Sequence, residues 1–445
     1  MNPEFQRNLW LEAAPRRAAW AILTLGLIYL AVGMLAHGDT DRMISALGTA
    51  GGAVFFLCAL VWGSRAAGQS VLTEIAERTW DFQRLSALSP WAMTWGKLAG
   101  ATSLAWICGL TGLVFVGLRA LTQDGDPWAM LFLPAAALFF QTLSLSLALI
   151  GVRKARAEGR AARAGGVLGG LALAIVLLLG VASSSGFQRG AGLGGLGALI
   201  GARGEVLWWG QAYAAGPFRA LATLAFAAWA LICAWRLMRL ELQMRNTPLI
   251  WPLFLVFVAT FMGGFAFLQG GWALSLVTGA LAVALCAYAA AFSEPADRVR
   301  LRQFAAAAIR LDLVRAGPLT PATLAPTLLA AVLVAASFAA GGDNLFGRAP
   351  QAAALIAFLL RDLGIIALFR FGPRPQRGDF GAIVALAVLY AVGGSLGAAF
   401  AQGLGAALFA PLPNAPWTSF ASGLGQALIA WALAIRRIGA PEKTG

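Results

Sequence analysis

The sequence predicts an all-α polytopic membrane protein, with about twelve transmembrane helices arranged as two halves of six. Three observations predict it. Of 445 residues, 60% are hydrophobic and only 12% charged, at a mean hydropathy of +0.76, whereas soluble domains carry about 25% charge. Apolar runs of about 20 residues, the length that crosses a hydrocarbon core, recur along the whole chain. Charge is the third. Counting the spans in order from a cytoplasmic amino end leaves only Arg42, Arg119, Arg189, Arg203, Arg219 and Arg348 outside or at the outer edge. The rest of the 33 Lys and Arg fall on the cytoplasmic side or within the tenth span, which is the positive-inside pattern. Both termini are therefore expected in the cytoplasm.

The amino end, MNPEFQRNLWLEAAPRR, is too long and polar before its apolar run for a cleavable signal. Phe5, Leu9 and Trp10 alternate there with Glu4, Arg7 and Glu12, which predicts an amphipathic helix on the membrane surface. Spans are then expected to begin near 18, 43, 96, 129, 166 and 217, and again near 249, 271, 322, 352, 380 and 418. The four cysteines, Cys58, Cys108, Cys233 and Cys286, all lie in apolar runs and read as small hydrophobes. The net charge of +14 forms no block and no nucleic-acid motif accompanies it.

Between the second and third spans lies Val71–Lys97, the longest well-charged interruption of the first half. Leu72, Ile75, Thr79, Phe82 and Leu85 recur at steps of three and four, which predicts a helix with one apolar face. Glu74, Glu77, Arg78, Asp81 and Arg84 fall mainly on the other face, Glu74 and Arg78 four apart in the favourable order. Ser89-Pro90 ends the helix, and Trp91, Trp95 and Lys97 follow as expected of interfacial anchors. The expectation is an amphipathic helix near 72–86, lying along the membrane and presenting charge to water.

The run Glu77-Arg78-Thr79-Trp80-Asp81, followed by Leu85-Ser86-Ala87-Leu88-Ser89-Pro90 and Gly96-Lys97, resembles the loop between the second and third spans of ABC type-2 exporter permeases. The resemblance covers this loop and the span order around it. It implies a coupling helix that docks on a separate ATPase, with Glu74, Glu77, Arg78, Thr79, Asp81 and Arg84 as the coupling residues. It further implies a permease subunit in a bacterial inner membrane, set among lipids, whose partner is an ABC ATP-binding subunit in two copies. Two permease chains could also assemble as a homodimer. ATP-Mg would be held by the partner, with no cofactor in this chain.

The halves look like one pattern used twice, 1–245 and 246–445. Arg7-Asn8 precedes the first span and Arg245-Asn246 the seventh. The loop after the eighth span, Ser293–Thr320, is basic (Arg298, Arg300, Arg302, Arg310, Arg315) and lacks the Thr-Trp-Asp and Leu-Ser-Pro signature, so the second half is read as diverged. Glycine-rich apolar segments precede the sixth and twelfth spans, SSSGFQRGAGLGGLGALIGARGEVLWWGQAYAAGPF and AQGLGAALFAPLPNAPWTSF. Non-helical backbone at membrane depth needs protein or a water-filled cavity around it. The family resemblance implies short re-entrant helices there, capping an export path.

Arg361 and Asp362 fall near the middle of the tenth span, where charge is costly and normally faces the bundle interior, paired. Adjacent residues on a helix do not face each other, so each is expected to find a partner elsewhere, in a translocation path or in a structural link. No phosphate-loop motif occurs, because Gly96-Lys97 is followed by Leu98 and lacks the upstream glycine. ATP hydrolysis is therefore not expected of this chain. Asp124-Gly125-Asp126-Pro127 reads as a turn. A single histidine, His37, and no acidic cluster disfavour a membrane-embedded enzyme. Two readings remain, the permease subunit of an ATP-driven exporter and a twelve-span ion-coupled secondary transporter.

Overall fold

The computed structural model describes residues 2–36, 38–85, 88–123, 125–157, 204–341, 345–372, 377–393, 395, 404–412 and 415–439. Eight helices among them are long and apolar enough to cross a membrane: Pro15–Leu35, Thr40–Ala76, Ser103–Thr122, Ala129–Ala157, Ala215–Glu241, Phe267–Ser293, Ala349–Arg370 and Pro416–Gly439. Three shorter apolar helices, Ile250–Gly263, Leu324–Ala339 and Gly378–Gly393, stand where the seventh, ninth and eleventh spans are expected. The fifth expected span, near 166, lies outside the described residues. The described residues are thus those of a predominantly helical polytopic membrane protein. It divides into two compact units, Met1–Val152 with Tyr213–Asn246, and Arg153–Ala212 with Thr247–Gly445.

The first unit begins with α1 (Pro3–Glu12), capped by Asn2, whose side chain accepts from the Glu4 amide, and α2 (Pro15–Leu35). The next element, α3, runs unbroken from Thr40 to Ala76 over 37 residues. At 1.5 Å per residue it is about 55 Å long, far more than the ~30 Å hydrocarbon core. Its middle, Phe56–Trp62, is wound as a π-helix, which displaces the normal carbonyl partners. The Ala59 carbonyl takes the buried Gln141 amide at 2.7 Å, and Gln141 in turn accepts from Trp106 Nε1 at 3.0 Å. After a short helix α4 (Trp80–Arg84), α5 (Pro90–Ala101) and α6 (Ser103–Thr122) return the chain. They are broken at Thr102, whose hydroxyl donates back to the Leu98 carbonyl at 2.6 Å. Helices α3 and α6 touch backbone to backbone: a Cβ on Gly51 would stand 2.4 Å from the Gly112 carbonyl oxygen, and one on Gly112 2.3 Å from that of Gly51. Small residues permit this approach in lipid, where association rests on packing. Then come α7 (Ala129–Ala157) and, as the unit's last helix, α8 (Ala215–Glu241).

Before α8 stands a hairpin of β1 (Glu205–Trp208) and β2 (Gln211–Ala214). Trp209 and Gly210 both have positive φ, 50° and 77°, which is the type I′ turn that suits two-residue hairpins. The expectation of re-entrant helix is therefore corrected over 205–214, where two strands pair instead. Residues 158–203 of that segment lie outside the described residues.

The second unit is built on α10 (Phe267–Ser293), preceded by α9 (Ile250–Gly263). Val277, Ala280, Val283, Ala284 and Ala287 of α10 pack with Ala330 and Val334 of α13 (Leu324–Ala339), Ile356 and Leu363 of α14 (Leu345–Arg370) and Leu386 of α15 (Gly378–Gly393). Between α10 and α13 run α11 (Arg298–Ile309) and α12 (Leu313–Leu319). One helical turn, α16 (Leu404–Ala407), and α17 (Pro416–Gly439) close the chain. The three shorter helices of this unit span only about 21–24 Å each.

Candidate functional site

The apolar run of α3 ends near Trp62. Glu74, twelve residues on, is about 18 Å further along the axis. The helix stops in a Schellman turn. Arg78 adopts a left-handed φ of 60°, its amide donates to Ile75 O at 3.1 Å, and the Thr79 amide donates to Glu74 O at 2.9 Å. The single amphipathic helix expected over 72–86 is therefore two helices with a corner between them. The chain reverses there because the two carbonyls are satisfied by the turn instead of by a further helical repeat.

Beneath the corner a polar cluster is buried. Lys97 of α5, fully enclosed, donates to Glu4 Oε1 at 2.9 Å, to Glu74 Oε2, and to Gln83 Oε1 at 2.9 Å. An ammonium has three protons, and all three are used. The Trp80 ring lies 5.0 Å from the same nitrogen. Arg7 of α1 donates to Glu74 Oε1 at 2.7 Å, as does Gln83 Nε2 at 2.8 Å, while Asn8 donates to Glu4 at 3.0 Å. Two carboxylates and two cations balance. Glu4 and Asn8 reach this site because α5 offers glycine opposite them: Gly96 faces Glu4 and Gly100 faces Asn8, each under 3 Å from a built Cβ.

The cluster sorts the residues singled out in the sequence. Glu74 is corrected: it points inward, 5% exposed, and is not part of a water-facing row. Arg84 is half-buried, donating to the Glu241 carbonyl at 2.9 Å and to Asp81 at 3.2 Å, with the Trp80 indole 3.5 Å from the Glu241 carboxylate. A cation on the last carbonyls of α8 also meets the negative end of that helix. Glu77, Arg78, Thr79 and Asp81 remain exposed. So do Phe82, at 77%, and Leu85, at 86%, of the expected apolar face. Glu77–Leu85 is thus a knuckle of mixed charge with an apolar tip, tied to the buried cluster through Trp80 and Gln83.

Arg361 and Asp362 are both buried, and they bind each other: Arg361 Nε and Nη2 lie 2.9 and 2.8 Å from Asp362 Oδ1. The expectation that neighbours on a helix need separate partners is corrected, because the long arginine folds back along α14. Partners from elsewhere also arrive. Tyr288 and Tyr390 donate to Asp362 Oδ2 at 2.6 and 2.8 Å, while Arg361 Nη1 donates to Gln426 at 3.2 Å and to the Phe409 carbonyl at 3.3 Å. The pair joins α10, α14, α15 and α17 and reaches the segment after α16.

A third cluster escaped the sequence reading. Lys154 and Arg370 share the carboxylate of Asp379, with Arg370 Nε at 3.1 Å. Lys154 also donates to Phe292 O at 2.7 Å, and Arg370 to the carbonyls of Ala291 and Glu294. The cations meet the carbonyl end of α10 and Asp379 the first turn of α15, where each charge suits the helix dipole. Asp379 follows Arg377-Gly378 in the sequence, and only its place at an apolar run's edge could have flagged it. No group of three or more His, Cys, Asp or Glu placed to hold a metal occurs among the described residues. No protein-family model, curated protein or solved structure matches the chain.

Proposed function

We propose that the chain is the membrane permease subunit of an ATP-driven exporter of the ABC type-2 class, and that a separate ATPase docks on Glu77–Leu85. One observation carries the reading. A 37-residue helix lifts an exposed knuckle about 18 Å past its apolar run, and a buried ion cluster fixes that knuckle to α1 and α5. A surface meant for lipid would lie at the interface and favour Lys and Arg. Exposed Phe82 and Leu85 among Glu77, Arg78 and Asp81 suit a specific protein groove, since mixed charge disfavours wrong partners. ATP-driven closure of the ATPase pair would pull the knuckle, and Lys97 and Glu74 would pass the pull to the base of the third span. The cytoplasm is then the side of both termini, and the inner membrane of a bacterium the setting.

The test is copurification from native membranes of the wild-type chain and of Glu77→Lys/Asp81→Lys. A phosphate-loop ATPase should accompany the first and be depleted tenfold or more in the second, at equal membrane yield. Equal recovery with both would remove the docking assignment. Ion-coupled transport is the second reading, favoured by a carboxylate, Asp362, wholly enclosed within a span. It requires that transport stop when the proton and sodium gradients collapse while ATP is kept up.

A further inference from the structure

The loop after the eighth span repeats the first knuckle's backbone. At the end of α11, Leu311 takes a left-handed φ of 55°. Its amide donates to Ala308 O at 3.0 Å, and the Asp312 amide to Ala307 O at 3.0 Å, the same Schellman pair that Arg78 and Thr79 make. A short helix follows in each case, Trp80–Arg84 and Leu313–Leu319. The surfaces differ. The second tip exposes three aliphatic side chains, Ile309 at 84%, Leu311 at 81% and Val314 at 87%. Its exposed charges are Arg310 and Arg315, and its one acid, Asp312, is engaged as a cap on the Arg315 amide at 3.1 Å. The first tip instead exposes two acids, Glu77 and Asp81, beside Arg78.

An anionic lipid surface is a poor match for the second tip. Of the five arginines in this loop three are bound to the protein: Arg298 to Phe371 O at 2.7 Å, Arg300 to Glu294 at 2.7 Å and Thr320 O at 3.1 Å, and Arg302 to Ile438 O at 2.8 Å. Arg315 Nε stands 3.6 Å from Asp312 Oδ2 but keeps most of its side chain exposed, so at most Arg310 and Arg315 could meet a lipid surface, where lipid-binding basic patches use about four to eight. Three exposed aliphatics within six residues, with two cations among and after them, are complementary to a protein groove with an apolar floor and an acidic rim.

We propose that Ile309–Arg315 is a second docking surface, and that it takes a cytoplasmic protein with an acidic-rimmed groove that is not the polypeptide docking at Glu77–Leu85. The second clause rests on the proposed function. A symmetric pair of identical ATPases presents the same socket twice; an acidic rim that attracts Arg310 and Arg315 repels Glu77 and Asp81, the two exposed acids that outnumber Arg78 on the first tip. Unequal tips of equal shape select unequal partners.

The test places a photo-crosslinking amino acid at Phe82 or at Leu311 of the full chain in its native cells, and identifies each crosslinked product by mass. The Leu311 probe should capture a protein, and Arg310→Glu/Arg315→Glu should lower its yield tenfold or more, with Arg310→Gln/Arg315→Gln intermediate. Glu77→Lys/Asp81→Lys should leave that yield within twofold while abolishing capture at Phe82. All variants lie on exposed side chains, and equal recovery in membranes checks their folding. The same polypeptide at both probes, lipid adducts alone at Leu311, or no Leu311 product beside an ATPase at Phe82 would each overturn the proposal. No ATPase at Phe82, with the acidic partner still at Leu311, would instead remove the exporter reading and leave the second surface standing.

Discussion

Lys97 shows how a single side chain fixes the meaning of the residues around it. Its three donors end on Glu4, Glu74 and Gln83 with no exposure to solvent. Breaking a buried pair leaves a charge without its partner and costs about 3–5 kcal/mol, whereas replacing the whole set can be nearly neutral. Lys97→Met is therefore expected to lower the thermal midpoint of the purified protein sharply, and Glu4→Gln/Glu74→Gln/Lys97→Met to recover part of the loss. A single variant no less stable than wild type would show that the cluster is not ionised as drawn. The same reasoning applies to Asp362, whose carboxylate accepts from Arg361, Tyr288 and Tyr390. Asp362→Asn should reduce folded yield, because Arg361 keeps its charge in the span without a counter-ion. Normal yield with lost transport would make the pair functional instead of structural. Glu77, Arg78 and Asp81, which spacing put on one charged face with Glu74, are exposed. Spacing misplaced Glu74, because its partners Lys97 and Arg7 lie 23 and 67 residues away in the chain, and no local pattern encodes such a meeting.

At the scale of elements, three corners stop helices at left-handed non-glycine residues, Arg78, Gln243 and Leu311, with φ of 60°, 60° and 55°. Glycine is the usual occupant of that position, because a Cβ there crowds the backbone. An arginine and a leucine kept at such corners are exposed side chains held where a helix end points them. Arg78→Gly should leave stability within about 1 kcal/mol, strain relief offsetting the added freedom of the unfolded chain, yet weaken recovery of the docked partner. Equal partner recovery would mean that Arg78 contributes only its backbone. The π-helical stretch of α3 gives a separate test. Gln141→Leu removes the donor to the Ala59 carbonyl, and an orphaned buried acceptor costs about 1–3 kcal/mol. A thermal midpoint unchanged in that variant would show that another group takes the carbonyl. The eight long apolar helices were legible in the sequence because about twenty apolar residues leave few alternatives. The π-helix and the Trp-Trp-Gly hairpin were not, since both depend on a partner from a distant helix: Gln141 for one, the Gly264 carbonyl at 2.9 Å from Trp209 N for the other.

For the whole molecule the question is on which side of the membrane the two knuckles stand. Length and hydropathy identify eight crossing helices and three shorter ones, and the fifth expected span is not among the described residues, so the count alone does not fix sidedness. The charge pattern supplies the expectation: with a crossing between 157 and 205, all but six of the 33 cationic residues would fall on the cytoplasmic side or within the tenth span, the positive-inside arrangement. That crossing also decides whether Phe82 and Leu311 share a compartment, as one ATPase-driven machine requires. Single cysteines placed at Asp39, Phe82, Arg156 and Leu311, in a chain with Cys58, Cys108, Cys233 and Cys286 replaced by serine or alanine, test this directly. With an impermeant thiol reagent on intact cells, Asp39 should label, whereas Phe82, Arg156 and Leu311 should label only after the membrane is opened. Labelling of Leu311 from outside, with Phe82 protected, would mean an odd number of crossings between them. The second knuckle could then meet no cytoplasmic partner, and the two halves would be inverted copies, an arrangement that suits the ion-coupled transporter reading and defeats the exporter.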